Sequence, residues 1–482
     1  MLLTCLVAMF ATSFTATALT VAIPPVAAEL GGSVGLVAWS VTGSLFVSAV
    51  ALPITGRLGD LHGHRRVFRT GTTLAVLFAV ATACAFDPYS LIAARAGAAL
   101  ASAATIPSSF AMLFKVFPAE ERVRPAAWAS AVLSGSGVTG LAIGGVVIDS
   151  IGWRPMFLIQ ASIALCALVL ALRVLPPMPT EHGANRPGLD KTGALVLTLA
   201  TFALTFGVNR AAAWGPTLVV VGLLAAVAPL YWLLLWIERR AASPVIPLWL
   251  LRKRDILTSS GASFLTNAAH QGNFLVTPLL LQGVFGLSVA MTSVVTISRT
   301  LSISLAAPSA SRLGARFGPA RLATVGIALY VVALAVLVAG TRLDQLWLVI
   351  VGLMASGLAY GHSVPPLLVV ATNAATPDSF GSTTSLHQTA SQIGGVIGLS
   401  LMSAIVADAA TAGPFAEAYL AAAVLAALGG VAGLACAPRR GAAPEVEGRP
   451  MAPEPPAAEA RAGQVTAPRD GSGSDRSLEP TR

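Results

Sequence analysis

Apolar stretches of about 20 residues, divided by short polar connections, follow one another along most of the chain. Fourteen are predicted to be membrane-crossing helices, at 2–23, 37–56, 68–86, 90–114, 127–149, 155–175, 192–209, 216–237, 257–281, 288–310, 321–340, 345–370, 383–407 and 416–436. Each is long enough to cross a hydrocarbon layer roughly 30 Å thick. None shows the period-two alternation of a barrel strand, and an open sheet cannot satisfy its backbone in lipid. The pattern therefore predicts an all-α membrane protein.

Composition agrees with lipid as the main solvent. Mean hydropathy is +0.77, 55% of residues are hydrophobic and 11% are charged, whereas about a quarter are charged in soluble domains. The net charge of +9 is spread over connections rather than over one face, which excludes a nucleic-acid partner. Most basic residues lie at Arg57 to Arg69, Lys115 to Arg124, Arg173 to Lys191, Arg239 to Arg254 and Arg312 to Arg321. These are the even-to-odd connections, so the positive-inside bias predicts that both termini are cytoplasmic. The connection from Asn373 to Thr384 has no Lys or Arg and is an exception.

Cys5, Cys84, Cys166 and Cys436 lie in apolar stretches with no CxxC spacing, so no metal site or disulfide framework is predicted. The first stretch lacks a basic n-region and reads as a span rather than a secretory signal. Beyond about residue 438 the chain turns to Pro, Ala, Glu, Arg and Ser, a composition that cannot build a core. An inert solvated tail is the preferred reading there, with a regulatory segment as the alternative.

An internal repeat organises the spans. GRLGDLHGHRR, from Gly56 to Arg66, has a degraded echo in SRLGARFGPAR, from Ser311 to Arg321. Arg57, Leu58, Gly59, Gly63 and Arg66 recur there at one constant offset. The first copy joins spans two and three, the second spans ten and eleven. Duplicated six-helix halves then require two helices inserted between them. The expected domains are an N-terminal six-helix bundle at 1–175, two inserted helices with linkers at 176–255, a C-terminal six-helix bundle at 256–437 and a tail at 438–482.

With these motifs the chain resembles the major facilitator superfamily, and within it the fourteen-helix drug:proton antiporter branch of multidrug and antibiotic exporters. The resemblance implies two six-helix bundles plus two inserted helices. It also implies that Gly56, Asp60, Gly63, Arg65 and Arg66 form a conformational latch. Physically, Asp60 can accept hydrogen bonds from exposed helix-terminal N–H groups and pair with Arg66 or Arg57; the alternative is a solvated loop that only sets orientation. LIAAR, ending at Arg95, with Pro107 resembles the family's fourth-helix motif, whose arginine faces the cavity. Snorkelling to a nearby interface is the other reading of Arg95. FPAEERVR, from Phe117 to Arg124, and GWRPMF, from Gly152 to Phe157, resemble loop signatures of the branch. SGSGVTGLAIGG, from Ser134 to Gly145, resembles its fifth-helix antiporter motif with Leu141 in place of the motif's proline. Gly137, Gly140, Gly144 and Gly145 then form either a rocking interface or a static close packing.

In span one the family's aspartate and asparagine are replaced by Thr15 and Thr20. No Asp or Glu stands in the middle of any predicted span, so proton coupling has no mid-membrane carboxylate to use. The polar residues left inside are Arg299, His362, His387 and the span-nine cluster Asn267, His270, Gln271 and Asn273. A histidine can exchange protons near neutral pH, although a hydrogen-bonded structural role is the more common one. Arg299, mid-span, calls for a watery cavity or an anionic group, which favours neutral or anionic substrates.

No HExxH, Walker loop or catalytic triad is present, so an enzyme is not expected, and no cofactor or metal is expected either. The expected partners are a small-molecule substrate, the lipid bilayer and, as the coupling ion, protons. The setting is the bacterial cytoplasmic (inner) membrane, as a multi-pass protein. The function read from the sequence is secondary active export of a small amphipathic compound, drug or antibiotic-like, driven by the proton gradient or the membrane potential. Metabolite uptake on the same fold and a non-transporting sensor or scaffold are the alternatives.

Overall fold

The computed structural model describes residues 1–175, 188–241, 244–406 and 411–435. The side chains of 16–18, 20–21, 24, 34–35, 141–146, 149, 212–213 and 289–290 are outside that description. So Thr20, Gly144 and Gly145 lie outside the described residues, as do Cys436 and the tail.

The described residues are helical, with no strand among them. The first six helices are α1 (Leu2–Leu30), α2 (Val34–His62), α3 (His64–Ala83), α4 (Pro88–Val116), α5 (Val123–Ile151) and α6 (Arg154–Val174). A pair follows, α7 (Lys191–Trp214) and α8 (Leu218–Glu238), and then a short α9 (Leu248–Arg252). The remaining six are α10 (Arg254–Gly283), α11 (Val289–Phe317), α12 (Pro319–Arg342), α13 (Leu346–Asn373), α14 (Phe380–Ile405) and α15 (Ala412–Leu434). Fourteen of these run from 20 to 30 residues, one over each predicted stretch. Eight are long and apolar enough to cross a membrane, α4, α8, α12 and α13 among them. The polar-rich α10 and α14 are not; their polar residues are largely buried against other helices.

Helix ends follow local chemistry. Asp87 and Ser90 form a reciprocal capping box before α4, with Pro88 in its first turn. Those hydrogen bonds hold the Asp87 carboxyl below the usual carboxylate range. Gly63 and Gly318 each end one helix and begin the next at φ 93° and 82°, a region that suits glycine. These are matching positions of the sequence repeat, so the repeat is also a backbone repeat.

Helices α1 to α6 pack chiefly on one another, through α1 with α5 and α6, α2 with α4, and α3 with α4 and α6. In the same way α10 packs on α14, α15 and α13, α12 on α13 and α15, and α11 on α13. The two sets meet along α5 with α11 and along α2 with α14. By the repeat, α2 corresponds to α11 and α5 to α14, so each seam is the pseudo-symmetric image of the other. The pair α7 and α8 leans on α2 and α14 through α7. An apolar cluster containing Phe110, Phe114, Val123, Ala310, Leu368 and Phe380 joins the sets at the end where the α2–α3 connection lies. Outward-facing side chains are large and apolar, as on α8, where Leu218 is 90% exposed; lipid is the matching solvent.

Candidate functional site

At the α2–α3 connection Asp60 reaches across the seam. Its Oδ1 accepts from the backbone N–H of Gly381 at 2.8 Å and its Oδ2 from that of Ser382 at 2.7 Å, and the Ser382 hydroxyl also donates to Oδ2. Asp60 thus caps the first turn of α14, where free N–H groups and the helix dipole favour an anion. His64 Nε2 lies 3.1 Å from Oδ1. The chain can approach this closely because of two glycines. A side chain at Gly56 would collide with Ser385 and the Gly381 carbonyl, and one at Gly381 would meet the Gly56 carbonyl and Asp60. Gly63 supplies the turn; Arg65 is half-buried and Arg66 exposed.

The other seam carries the degraded repeat. Gly314 packs against Val123, the first residue of α5, but Ala315 stands where Asp60 stands in the first copy. No side chain caps the N-terminus of α5. A different contact joins the sets nearby: Arg122 Nη1 donates to Asn373 Oδ1 at 2.7 Å, and its guanidinium sits 4.8 Å over the Phe380 ring.

Between the sets lies a cavity of about 450 Å³. Ser13 of α1, Phe110 of α4 and Ser130, Ser134 and Gly137 of α5 line one wall. Asn267, His270 and Gln271 of α10, Tyr360 of α13 and His387, Gln388, Ser391 and Gln392 of α14 line the other. The second wall is strongly polar and mutually braced. Asn267 donates to the Ser391 carbonyl at 2.7 Å and accepts from the Tyr360 hydroxyl at 2.9 Å. His270 stacks on Tyr360 with ring centres 3.8 Å apart, and Ser260 Oγ lies 3.4 Å from His387 Nδ1. Gly394 and Gly398 let α14 lie directly on the α10 backbone at Phe264 and Ala268.

Five of the sequence-selected residues therefore share this cavity: Gly137, Asn267, His270, Gln271 and His387. Others lie elsewhere. Arg95 is buried inside the first set, where it donates to Thr15 at 3.3 Å; Thr15 donates to Gln160 at 2.8 Å, and Gln160 to the Ala11 carbonyl at 2.9 Å. Asn273 and Arg299 are buried inside the second set. Gly137 lines the cavity and Gly140 is buried in α5. His362 bonds Ser309 at 2.9 Å on a separate apolar groove. Sequence reasoning missed the donor N–H groups of Gly381 and Ser382, which have no side-chain signature. It also missed Gln388 and Gln392, although the polar run of α14 could have indicated them.

Comparison with known proteins gives the same frame. The Major Facilitator Superfamily matches residues 5–254 and 259–465. The chain is 28% identical over 402 residues to the tetracenomycin C resistance and export protein of Streptomyces glaucescens, covering 81% of this chain and 73% of that one. It is 29% identical over 423 residues to a cephamycin export protein of Amycolatopsis lactamdurans, covering 84% of each. A multidrug resistance protein B homolog of Mycobacterium tuberculosis is 28% identical over 390 residues, or 79% of this chain and 71% of its own. Among solved structures, the proton:xylose symporter XylE superposes with a TM-score of 0.65 at 11% identity, covering 89% of this chain and 94% of that one. The human organic anion transporter MFSD10 gives 0.62 at 16% identity, covering 88% and 97%.

Proposed function

The chain belongs to the major facilitator superfamily of membrane transporters, and from that premise we propose that it exports a small amphipathic, antibiotic-like compound by alternating access. The observation that carries this reading is the polar cavity between two helix sets joined by a carboxylate-to-backbone clasp. Such a clasp holds only while α14 abuts α2, so it stabilises one state and must be released to reach the other. The export named for the relatives supports the direction.

In this reading all fourteen long helices cross the bacterial inner membrane with both termini cytoplasmic. Residues 1–175 and 256–437 rock against each other, and 176–255 ride alongside. Gly56, Asp60, Gly63, Arg65 and Arg66 serve the clasp. Asn267, His270 and Gln271 meet the substrate, while Thr15, Arg95, Asn273 and Arg299 shape the interior on either side. Gly137 and Gly140 permit sliding at the α5 seam. Coupling to the proton gradient or the membrane potential supplies the work, about 2.3 kcal/mol per charge per 100 mV.

The test is flux of a panel of amphipathic antibiotics in everted vesicles, with and without an imposed pH gradient. Accumulation inside everted vesicles that collapses when the gradient is dissipated supports export. Accumulation only in right-side-out vesicles would instead support uptake.

A further inference from the structure

We propose that Arg299, Asn273, His270 and Tyr330 form a buried site for a small monovalent anion, a halide or a small carboxylate, inside the second helix set. Arg299 is 1% exposed, and none of its three guanidinium nitrogens has a hydrogen-bond partner. Nδ1 of His270 likewise has none, and the Asn273 amide and the Tyr330 hydroxyl have at most each other. These groups come from three helices, α10, α11 and α12, yet they belong together. His270 and Tyr330 are both electrostatic neighbours of Arg299, as are the phenols of Tyr360 and Tyr419. Tyr330 meets the Tyr360 ring edge-on at 6.2 Å, and Tyr360 stacks on His270.

The surroundings orient the donors inward. Asn273 Oδ1 accepts from Thr277 at 2.8 Å, so its amide NH₂ is the end turned toward Tyr330. Thr277 Oγ1 lies 3.1 Å from the Tyr419 hydroxyl. Phe274 lies under the guanidinium, 4.8 Å from its centre. No carboxylate is an electrostatic neighbour of Arg299 among the described residues.

A guanidinium offers five N–H donors and no acceptor. Buried without a counter-charge it is costly in a low-dielectric interior. The amide NH₂ can only donate, and the phenol and imidazole N–H can donate as well. One anion accepts from several of these at once and cancels the single full charge. Burial of Arg299, Tyr330 and Tyr419 restricts the occupant to a few heavy atoms. His270 connects this site to the cavity, since it lines that wall and stacks on Tyr360 behind it.

The inference rests on these side chains and not on the transport reading, so its test measures binding. Thermal unfolding of the purified protein in nanodiscs is followed in sodium chloride, bromide, formate and gluconate at matched ionic strength. The expected result is a saturable rise in midpoint with chloride and bromide, with formate, or with both, and none with the bulky gluconate. Saturation by formate alone assigns the site to carboxylates, and by halides alone to halides. Tyr330→Phe and Asn273→Ala, each removing one donor, are expected to raise the half-saturating concentration roughly two- to tenfold, and Arg299→Gln to abolish saturation. Superimposable curves in all four salts, or saturation unchanged in Tyr330→Phe and Asn273→Ala, would overturn the proposal.

Discussion

Asp60 bonds the first helix set to the second. Its carboxylate satisfies two backbone N–H groups of α14 at once, and an asparagine has only one oxygen to offer. Asp60→Asn is therefore expected to weaken the clasped state by about 1–3 kcal/mol. Spin labels at the exposed positions 70 and 377, on either side of the seam, should show a larger population of long distances. Ala315→Asp is the converse change. It places a carboxylate beside the uncapped α5 N-terminus and is expected to strengthen the clasped state by about 1 kcal/mol, seen as a raised melting temperature and slower turnover. Unchanged label distances in the first variant would remove Asp60 from the switching machinery.

Among elements, the α2–α14 crossing depends on missing side chains as much as on bonds. A Cβ at Gly381 would lie 2.5 Å from the Gly56 carbonyl and 2.6 Å from Asp60 Oδ1. Gly381→Ala is therefore expected to cost the clasped state roughly 1–3 kcal/mol and to reproduce the label distances of Asp60→Asn. At the other end of the first set, the capping box of α4 depends on an ionised Asp87. Because hydrogen bonds depress its pKa, its contribution is present above the ordinary carboxylate range and fades as pH falls through the depressed value. An Asp87→Ala variant should lose stability near neutral pH and show a flatter acid limb than the parent in pH-dependent unfolding. The helices themselves were legible from length and hydropathy, and Asp60 with its flanking glycines was legible within a repeated motif. Which N–H groups Asp60 meets was not, because backbone donors have no residue identity to read.

Among the described residues, two pseudo-symmetric seams surround a polar cavity, and one of them carries a carboxylate clasp where the other has Ala315. That asymmetry is expected to make the two transitions of a transport cycle unequal in barrier, with release of the α2–α14 seam the slower. Stopped-flow quenching of a fluorophore at either seam measures this directly, and Ala315→Asp should narrow the difference. The sequence alone determined the helical membrane fold, the order and approximate extent of the long helices and the repeat, because these follow from local hydropathy and from residue identities at constant spacing. It could not decide where a polar residue points, since a helix places every residue on some face and only its neighbours distinguish cavity from interior. Arg95 and Arg299, equally conspicuous in the chain, lie inside their helix sets, whereas Gln388 and Gln392, less conspicuous, face the cavity. The tertiary structure made that distinction because packing through Gly357, Gly394 and Gly398 sets the rotation of α11, α13 and α14, and close packing in three dimensions is not encoded at any single position.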